Sequence, residues 1–298
     1  MIVTCGEALV DLMPEMTAEG VRYRPVLGGS HYTVAIGIAK LGGHAGYLWE
    51  LSTDALGCAL YDRLRGEGVV VDHVARSARA TPIAIIDKSG PEPRYNIADP
   101  DRVMDDTPLP ALPAGVSCLH IGSAVTSREP IGAAVEAFAA AAPFVSMDIN
   151  ARPPSIADAA AYRARLRRLW PACAIFKASV ADIEAIGAGD PVAYMQSVVA
   201  AGVPLAILTM AQDGACAFTP RSSVEVPTLT REVVDPVGAG DAFMAALLAT
   251  LQAGARLARG SLGVLSDQDM GALLSRAQRA AAFACARQGA EMPSEADL

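Results

Sequence analysis

The run Asp235-Pro236-Val237-Gly238-Ala239-Gly240-Asp241-Ala242-Phe243 joins small residues, a carboxylate and the start of an apolar helical pattern. Phe243, Met244, Ala246, Leu247, Leu248 and Leu251 carry that pattern, the spacing of an amphipathic or buried helix. A Gly-x-Gly turn at a helix start points backbone N–H groups into one space. The positive end of the helix dipole makes that space an anion site. The small side chains of Gly238, Ala239 and Gly240 let a phosphoryl group come close. Asp241 is the unexpected neighbour, because a carboxylate repels an anion unless a third group lies between them. Two readings stand. In one, Asp241 takes the proton of a hydroxyl while the N–H groups hold the phosphoryl group that this hydroxyl attacks, and the helix dipole keeps Asp241 ionised. In the other, the run is a glycine turn and Asp241 an ordinary helix-start residue.

More polar residues stand where strands are predicted to end: Asp148, Asn150 and Arg152; Lys177, Ser179 and Asp182; Thr209. The strands are residues 117–121, 144–148, 174–177, 205–209 and 215–218. Helices are predicted at about 129–142, 159–169, 180–186 and 191–201, with a last one near 269–287. Strands alternating with helices at this spacing indicate βαβ units and a mainly parallel sheet, which binds ligands at its carboxyl ends. Residues 2–5 read as the first buried strand and 46–51 as another, with a helix from Asp54 to about residue 67. Asp11, just past the first strand, either faces a polar ligand or caps a turn. Gly28-Gly29 opens a helix with small residues on one face, ending at Gly42-Gly43. Residues 81–87 and 94–97 alternate and flank Lys88-Ser89-Gly90-Pro91-Glu92-Pro93, which reads as a β-hairpin standing apart from the main layer. Residues 13–26 are loop-like and then alternating, and the stretch from Val21 can join that hairpin. With no internal repeat and no clear linker, residues 1–298 read as one α/β domain with lid insertions at about 13–26 and 80–103.

Composition removes other classes. Net charge is −8 with no basic stripe, so nucleic acid is not an expected partner. The six cysteines lie far apart without a Cys-x-x-Cys pair, which argues against a zinc site or disulfide framework and fits a reducing cytoplasm. The N-terminus lacks the basic and apolar regions of a signal peptide, and the Ala-rich stretch 131–142 is too short to span a membrane. A dinucleotide fingerprint is also missing after the first strand, which counts against a Rossmann-type oxidoreductase.

Taken together, these motifs resemble the ribokinase-like (PfkB-type) carbohydrate kinases. Residues 235–243 look like that family's Asp-Thr-x-Gly-Ala-Gly-Asp-x-Phe signature, and Gly28-Gly29 with its helix resembles the N-terminal glycine motif. Asp148-x-Asn150-x-Arg152 is similar to a segment of the fructokinase and 2-keto-3-deoxygluconate kinase branches. Lys177-x-Ser179-x-x-Asp182, Thr209 to Gly214 and Arg287-x-Gly289-Ala290 resemble further family motifs in the same order. The resemblance implies a three-layer ribokinase-like fold with a small β-sheet lid, and transfer of the γ-phosphoryl group of ATP to a primary hydroxyl of a sugar. It implies Asp241 as base and the N–H groups of Gly238, Ala239 and Gly240 as the anion hole. Lys177, Ser179, Thr209 and Gly214 would serve ATP, with Gly238 and Gly240. Asp11, Gly28, Gly29, Thr33, Tyr95, Asn150 and Arg152 would serve the sugar, Arg152 alternatively the γ-phosphate. Mg²⁺ would bridge phosphates, with Asp182 as an outer-sphere partner, and a monovalent cation is a further implied property; an exposed edge of the lid sheet can pair two copies in a homodimer.

Four positions depart from the family pattern. Thr33 stands where Asn is frequent, Ser52-Thr53-Asp54 where Gly-Asp-Asp is common, Pro236 for a common Thr, and Ala211 for a Gly whose place strains Ala if φ is positive. They leave two rivals to a sugar kinase: a nucleoside or vitamin kinase of the same fold, and a non-catalytic sugar-binding regulator.

Overall fold

The computed structural model describes residues 1–87, 94–229 and 233–298. Its strands are β1 Ile2–Cys5, β2 Leu9–Thr17, β3 Gly20–Gly28, β4 Ala45–Leu48, β5 Glu50–Ser52, β6 Ala75–Ser77 and β7 Ile83–Asp87. Then follow β8 Arg94–Ala98, β9 Cys118–Gly122, β10 Val145–Asp148, β11 Cys173–Ser179, β12 Leu205–Thr209, β13 Ala215–Phe218 and β14 Ser223–Val226. Eight of them form one sheet in the order β14-β13-β12-β11-β10-β9-β1-β4. From β4 to β12 every pairing is parallel, and β13 and β14 add an antiparallel edge. The parallel strands are rich in apolar residues and buried almost throughout, as strands covered on both faces must be, and their few polar residues include Asp148 and Lys177 near the carboxyl ends.

The strand order fixes where a ligand can sit. From β9 through β12 the chain steps toward one edge, while β1 to β4 steps toward the other. Right-handed crossovers therefore place the helix between β1 and β4, Ser30–Lys40, on the face opposite the helices that follow β9. Helices Ala239–Ala253 and Asp267–Cys285 pack beside Ser30–Lys40 in the same layer. Ile131–Ala140, Ala159–Leu169 and Pro191–Ala200 build the other layer. The reversal falls between β1 and β9, and a crevice opens past the carboxyl ends of strands at such a switch point.

The second sheet, β3-β2-β7-β8, stands apart from the first. β2 and β3 make an antiparallel hairpin with Leu9 opposite Gly28, and β2 pairs parallel with β7. The expected hairpin around residues 88–93 appears as antiparallel β7 and β8, its turn lying outside the described residues. The first lid strand is longer than expected. The segment read as loop-like from residue 13 is strand, and the strand begins at Leu9, because Leu9 and Met13 bury against Ala84 and Ile86 in a small lid core of their own. Asp11 thus lies on a lid strand, neither in a loop nor at a turn cap. The strand predicted at 46–51 is broken at Trp49 into β4 and β5, and β5 leaves the main sheet to pair with β6. The last helix ends two residues earlier than expected, at Cys285, and the segment after it turns back to Asp235.

Candidate active site

A cleft enclosing about 620 Å³ of empty space, part of it open to solvent, lies at the switch point under the lid. Glu7 follows β1 and Ser123 follows β9, and both line it, as the topology requires. The lid contributes Asp11, Tyr95 and Ile97; Arg152 and Asp241 complete the polar wall. Of the residues singled out in the sequence, Asp11, Gly28, Gly29, Thr33, Tyr95, Arg152, Gly238 and Asp241 all line this one cleft. They come from positions more than two hundred residues apart in the chain.

Two glycines are required by close approach. Gly29 has φ +110°, and a Cβ there would lie 2.4 Å from the Glu7 carbonyl oxygen. Gly238 has φ +82°, and its Cβ would lie 2.7 Å from Cα of Ala290. Gly238 is the residue before the first turn of Ala239–Ala253, and no side chain caps that helix end. The backbone around Gly238, Ala239 and Gly240 remains at least partly exposed. The helix start is thus held in a left-handed turn walled by the C-terminal Gly289-Ala290 segment, with the Ala239 N–H donating to the Pro236 carbonyl at 3.2 Å. Asp235 anchors the same turn, accepting from the N–H groups of Val237 at 3.1 Å and Gly289 at 3.2 Å.

Asp241 lies in that first turn. Ser30 Oγ donates to its Oδ1 at 2.6 Å, Asn150 Nδ2 donates to Ser30 Oγ at 2.8 Å, and Arg152 Nη1 donates to Asn150 Oδ1 at 2.6 Å. The Arg152 guanidinium lies over the Tyr95 ring, 5.5 Å from its centroid. Burial pushes the Asp241 carboxyl up to about 6, with the Ser30 hydrogen bond and Arg152 pulling down and Asp148 pushing further up. The helix dipole alone predicted a firmly ionised group; desolvation outweighs it. Asp11 is raised further, to about 7, by burial, with Arg152 opposing and Asp241 adding to the rise.

Lys177 is buried and pairs with Asp148 at 2.8 Å. Burial works against its ammonium, but Asp148, Asp182 and Asp241 outweigh it and hold it charged. Its Nζ lies 3.6 Å from where a Cβ of Gly240 would be, so one fixed positive charge stands beside the open helix start. Ser179, Asp182, Thr209 and Gly214 do not line the cleft: Ser179 and Thr209 end β11 and β12 side by side in register, Asp182 follows in the helix Val180–Ala185, and Gly214 precedes β13. Ser179 and Asp182 form a capping box for Val180–Ala185, and Asp182 also accepts from the Ala151 N–H at 2.6 Å. Both Asp182 oxygens therefore hold backbone, which ties the turn carrying Asn150 and Arg152 to the end of β11. Ala211 has φ +49°, so the departure from glycine does place a side chain in the left-handed region.

Ser30 was missed among the sequence candidates, although it follows Gly28-Gly29 directly. Its contact to Asp241 spans 211 residues and nothing local announces it. Glu7 and Ser123 were missed too; their only sequence signal is their place just after β1 and β9.

The fold and the cleft define a class. The chain belongs to the pfkB family carbohydrate kinases, whose pattern it matches over residues 1–297. It is 31% identical over 276 residues to a fructokinase of Rhizobium leguminosarum bv. trifolii, covering 90% of this chain and 85% of that protein. Its fold superposes with TM-score 0.83 on a Xylella fastidiosa fructokinase with bound ATP, at 24% identity, covering 99% and 96% of the two chains. An aminoimidazole riboside kinase of Salmonella enterica, complexed with aminoimidazole riboside and an ATP analog, gives 0.82 at 24% identity, covering 99% and 98%. The chain is a carbohydrate kinase, and a non-catalytic regulator is set aside.

Proposed function

We propose that this kinase transfers the γ-phosphoryl group of ATP to a primary hydroxyl of a fructose-like ketose or a keto-deoxy sugar acid, with Asp241 as general base. The observation that carries the reading is Asp241 in the first turn of a helix whose start is open, at the floor of a polar cleft. The sugar lies under the lid with Asp11, Thr33 and Arg152 on its hydroxyls and Tyr95 against its ring. Its attacking hydroxyl faces Asp241, and the phosphoryl group lies over Gly238, Ala239 and Gly240, whose N–H groups meet the charge that develops in transfer, that of Ala239 by turning from the Pro236 carbonyl it bonds at 3.2 Å. Asp241 accepts the hydroxyl proton as the oxygen–phosphorus bond forms and the bond to ADP breaks. A carboxyl near 6 is mostly ionised at neutral pH yet basic enough to take that proton.

The nucleotide lies along the strand ends of Lys177, Ser179, Thr209 and Gly214. Among the described residues no cluster of His, Cys, Asp and Glu forms a metal site. Both Asp182 oxygens hold backbone N–H groups, which suits a contact to a cation through water rather than direct ligation; Asp182 would be the outer-sphere partner of a Mg²⁺ bound with ATP, and the ion would supply charge neutralisation at the phosphates. Functionally we read the chain as one domain with its lid, and the lid's outer face, with Met16, Val21 and Tyr23 exposed, as the surface for a homodimer.

A second reading, a riboside-like acceptor, draws support from the similarity to the aminoimidazole riboside kinase. A screen for ADP release over ketoses, aldoses, keto-deoxy acids and nucleosides tests both. The highest kcat/KM is expected on a ketose or keto-deoxy acid; a nucleoside exceeding every sugar reverses the assignment.

A further inference from the structure

The four side chains that end at Asp241 form a hydrogen-bond chain whose direction is fixed by chemistry. Arginine only donates, so the Asn150 atom facing Arg152 Nη1 is the amide oxygen. The amide nitrogen then faces Ser30 Oγ and donates to it. With an acceptor position of its oxygen occupied, the Ser30 hydroxyl directs its one hydrogen to Asp241 Oδ1 at 2.6 Å. Ser30 is 8% exposed, so water does not compete freely for that rotor. Arg152 also anchors itself on the carbonyls of Asn150 and Ala151, both at 3.2 Å from Nη1. Its Nη2 and Nε have no hydrogen-bond partner among the described residues, and the residue lines the cleft.

From this geometry we propose that Ser30 is a positioning residue for the base, holding Asp241 by Oδ1 so that Oδ2 is presented to the acceptor hydroxyl, with Asn150 and Arg152 setting the direction of the chain. The proposal rests on Asp241 being the base. The chain does two things. It fixes one carboxylate rotamer in the cleft floor, and it offsets the desolvation that pushes Asp241 toward its protonated form. The charges facing Asp241 are Arg152 and Lys177 on the favourable side and Asp148 and Asp11 on the other. None of these is altered by a change at Ser30. An anion on the free side of Arg152 is then linked, through two neutral side chains, to the oxygen opposite the one that takes the proton.

The test compares kcat/KM against pH for the wild type, S30A, S30T and N150A, with D241N alongside and thermal unfolding as a check on folding. For S30A the acidic limb is expected to move up by about one to two pH units, since the carboxylate loses a charge-assisted hydrogen bond. At pH 7 kcat/KM falls by about two- to tenfold as the ionised fraction drops, while the KM for ATP stays within about twofold. S30T keeps the hydroxyl and returns the limb to its wild-type position. N150A leaves Ser30 in place but frees its rotor, so its limb shifts the same way as that of S30A. An S30A profile with an unmoved acidic limb overturns the positioning role, as does a limb displaced equally in S30A and S30T. If D241N itself turns over normally, the base assignment fails first. An inactive D241N with an unmoved S30A limb defeats the inference about Ser30 alone.

Discussion

At the scale of single residues, the proposed chemistry turns on two carboxyls raised by burial, Asp241 and Asp11. With Asp241 as the proposed base, kcat/KM is expected to rise with pH through about 6 and level off above it, because only the ionised form takes a proton. A pH series at saturating nucleotide checks this; a flat profile between pH 5 and 8 contradicts it. The same groups weigh on stability. Asp11 has a folded pKa of about 7, far above the value of about 4 for an unfolded aspartate. Between those values the folded state binds the extra proton, so the stability Asp11 confers is full below about 4 and is lost as pH rises toward 7. Asp11→Asn is therefore expected to stabilise the protein at pH 8 by on the order of 2 kcal/mol and to change little near pH 4. Chemical denaturation at the two pH values measures the difference, and a variant less stable at pH 8 refutes it. The same substitution should raise the KM of the sugar, since one of the two acceptor oxygens in the cleft becomes an NH₂ donor and the negative charge is lost.

At the scale of elements, the decisive piece is the turn that starts Ala239–Ala253. Gly238→Ala places a Cβ in a left-handed conformation against Ala290, and is expected to cost roughly 2 kcal/mol of stability and most of the activity. Ala211 presents the opposite case. At φ +49° its side chain is strained, and Ala211→Gly should raise stability by about 1 kcal/mol in thermal or denaturant unfolding. The sequence carried this turn fully: small residues, a carboxylate and an apolar helix are local signals. It carried the possible strain at Ala211 as well, because a motif that wants glycine names its own weak point. It misread the lid strand β2 because Leu9, Val10 and Leu12 form an apolar stretch that lacks strict alternation, and their burial is split between the lid core and the main core. It missed the break at Trp49 because the residues on both sides are buried, and the one polar signal, Glu50, is buried too, pairing with Arg79 and Ser77 far along the chain.

At the scale of the whole molecule, the strand order gathers the site. βα alternation is legible in sequence, and with it the carboxyl ends on which Asp148, Lys177 and Thr209 stand. The switch point between β1 and β9 is not, since the chain leaves β1 for the lid and β4 before it reaches β9. For that reason Glu7, Ser30 and Ser123 enter the site only through the fold. The lid closes this cleft from above on a sheet with its own small core. Sugar binding is therefore expected to slow amide exchange in β2, β3, β7 and β8 and to leave β10 to β12 unchanged. In the proposed reaction Asp241 removes a proton from a sugar hydroxyl beside an N–H anion hole. Sugar-dependent ADP release by the wild type and by a folded Asp241→Asn variant tests it most directly. Turnover on fructose or a related keto sugar is expected to fall by about 100-fold or more in the variant; a variant that keeps wild-type turnover contradicts the assignment of Asp241 as the base.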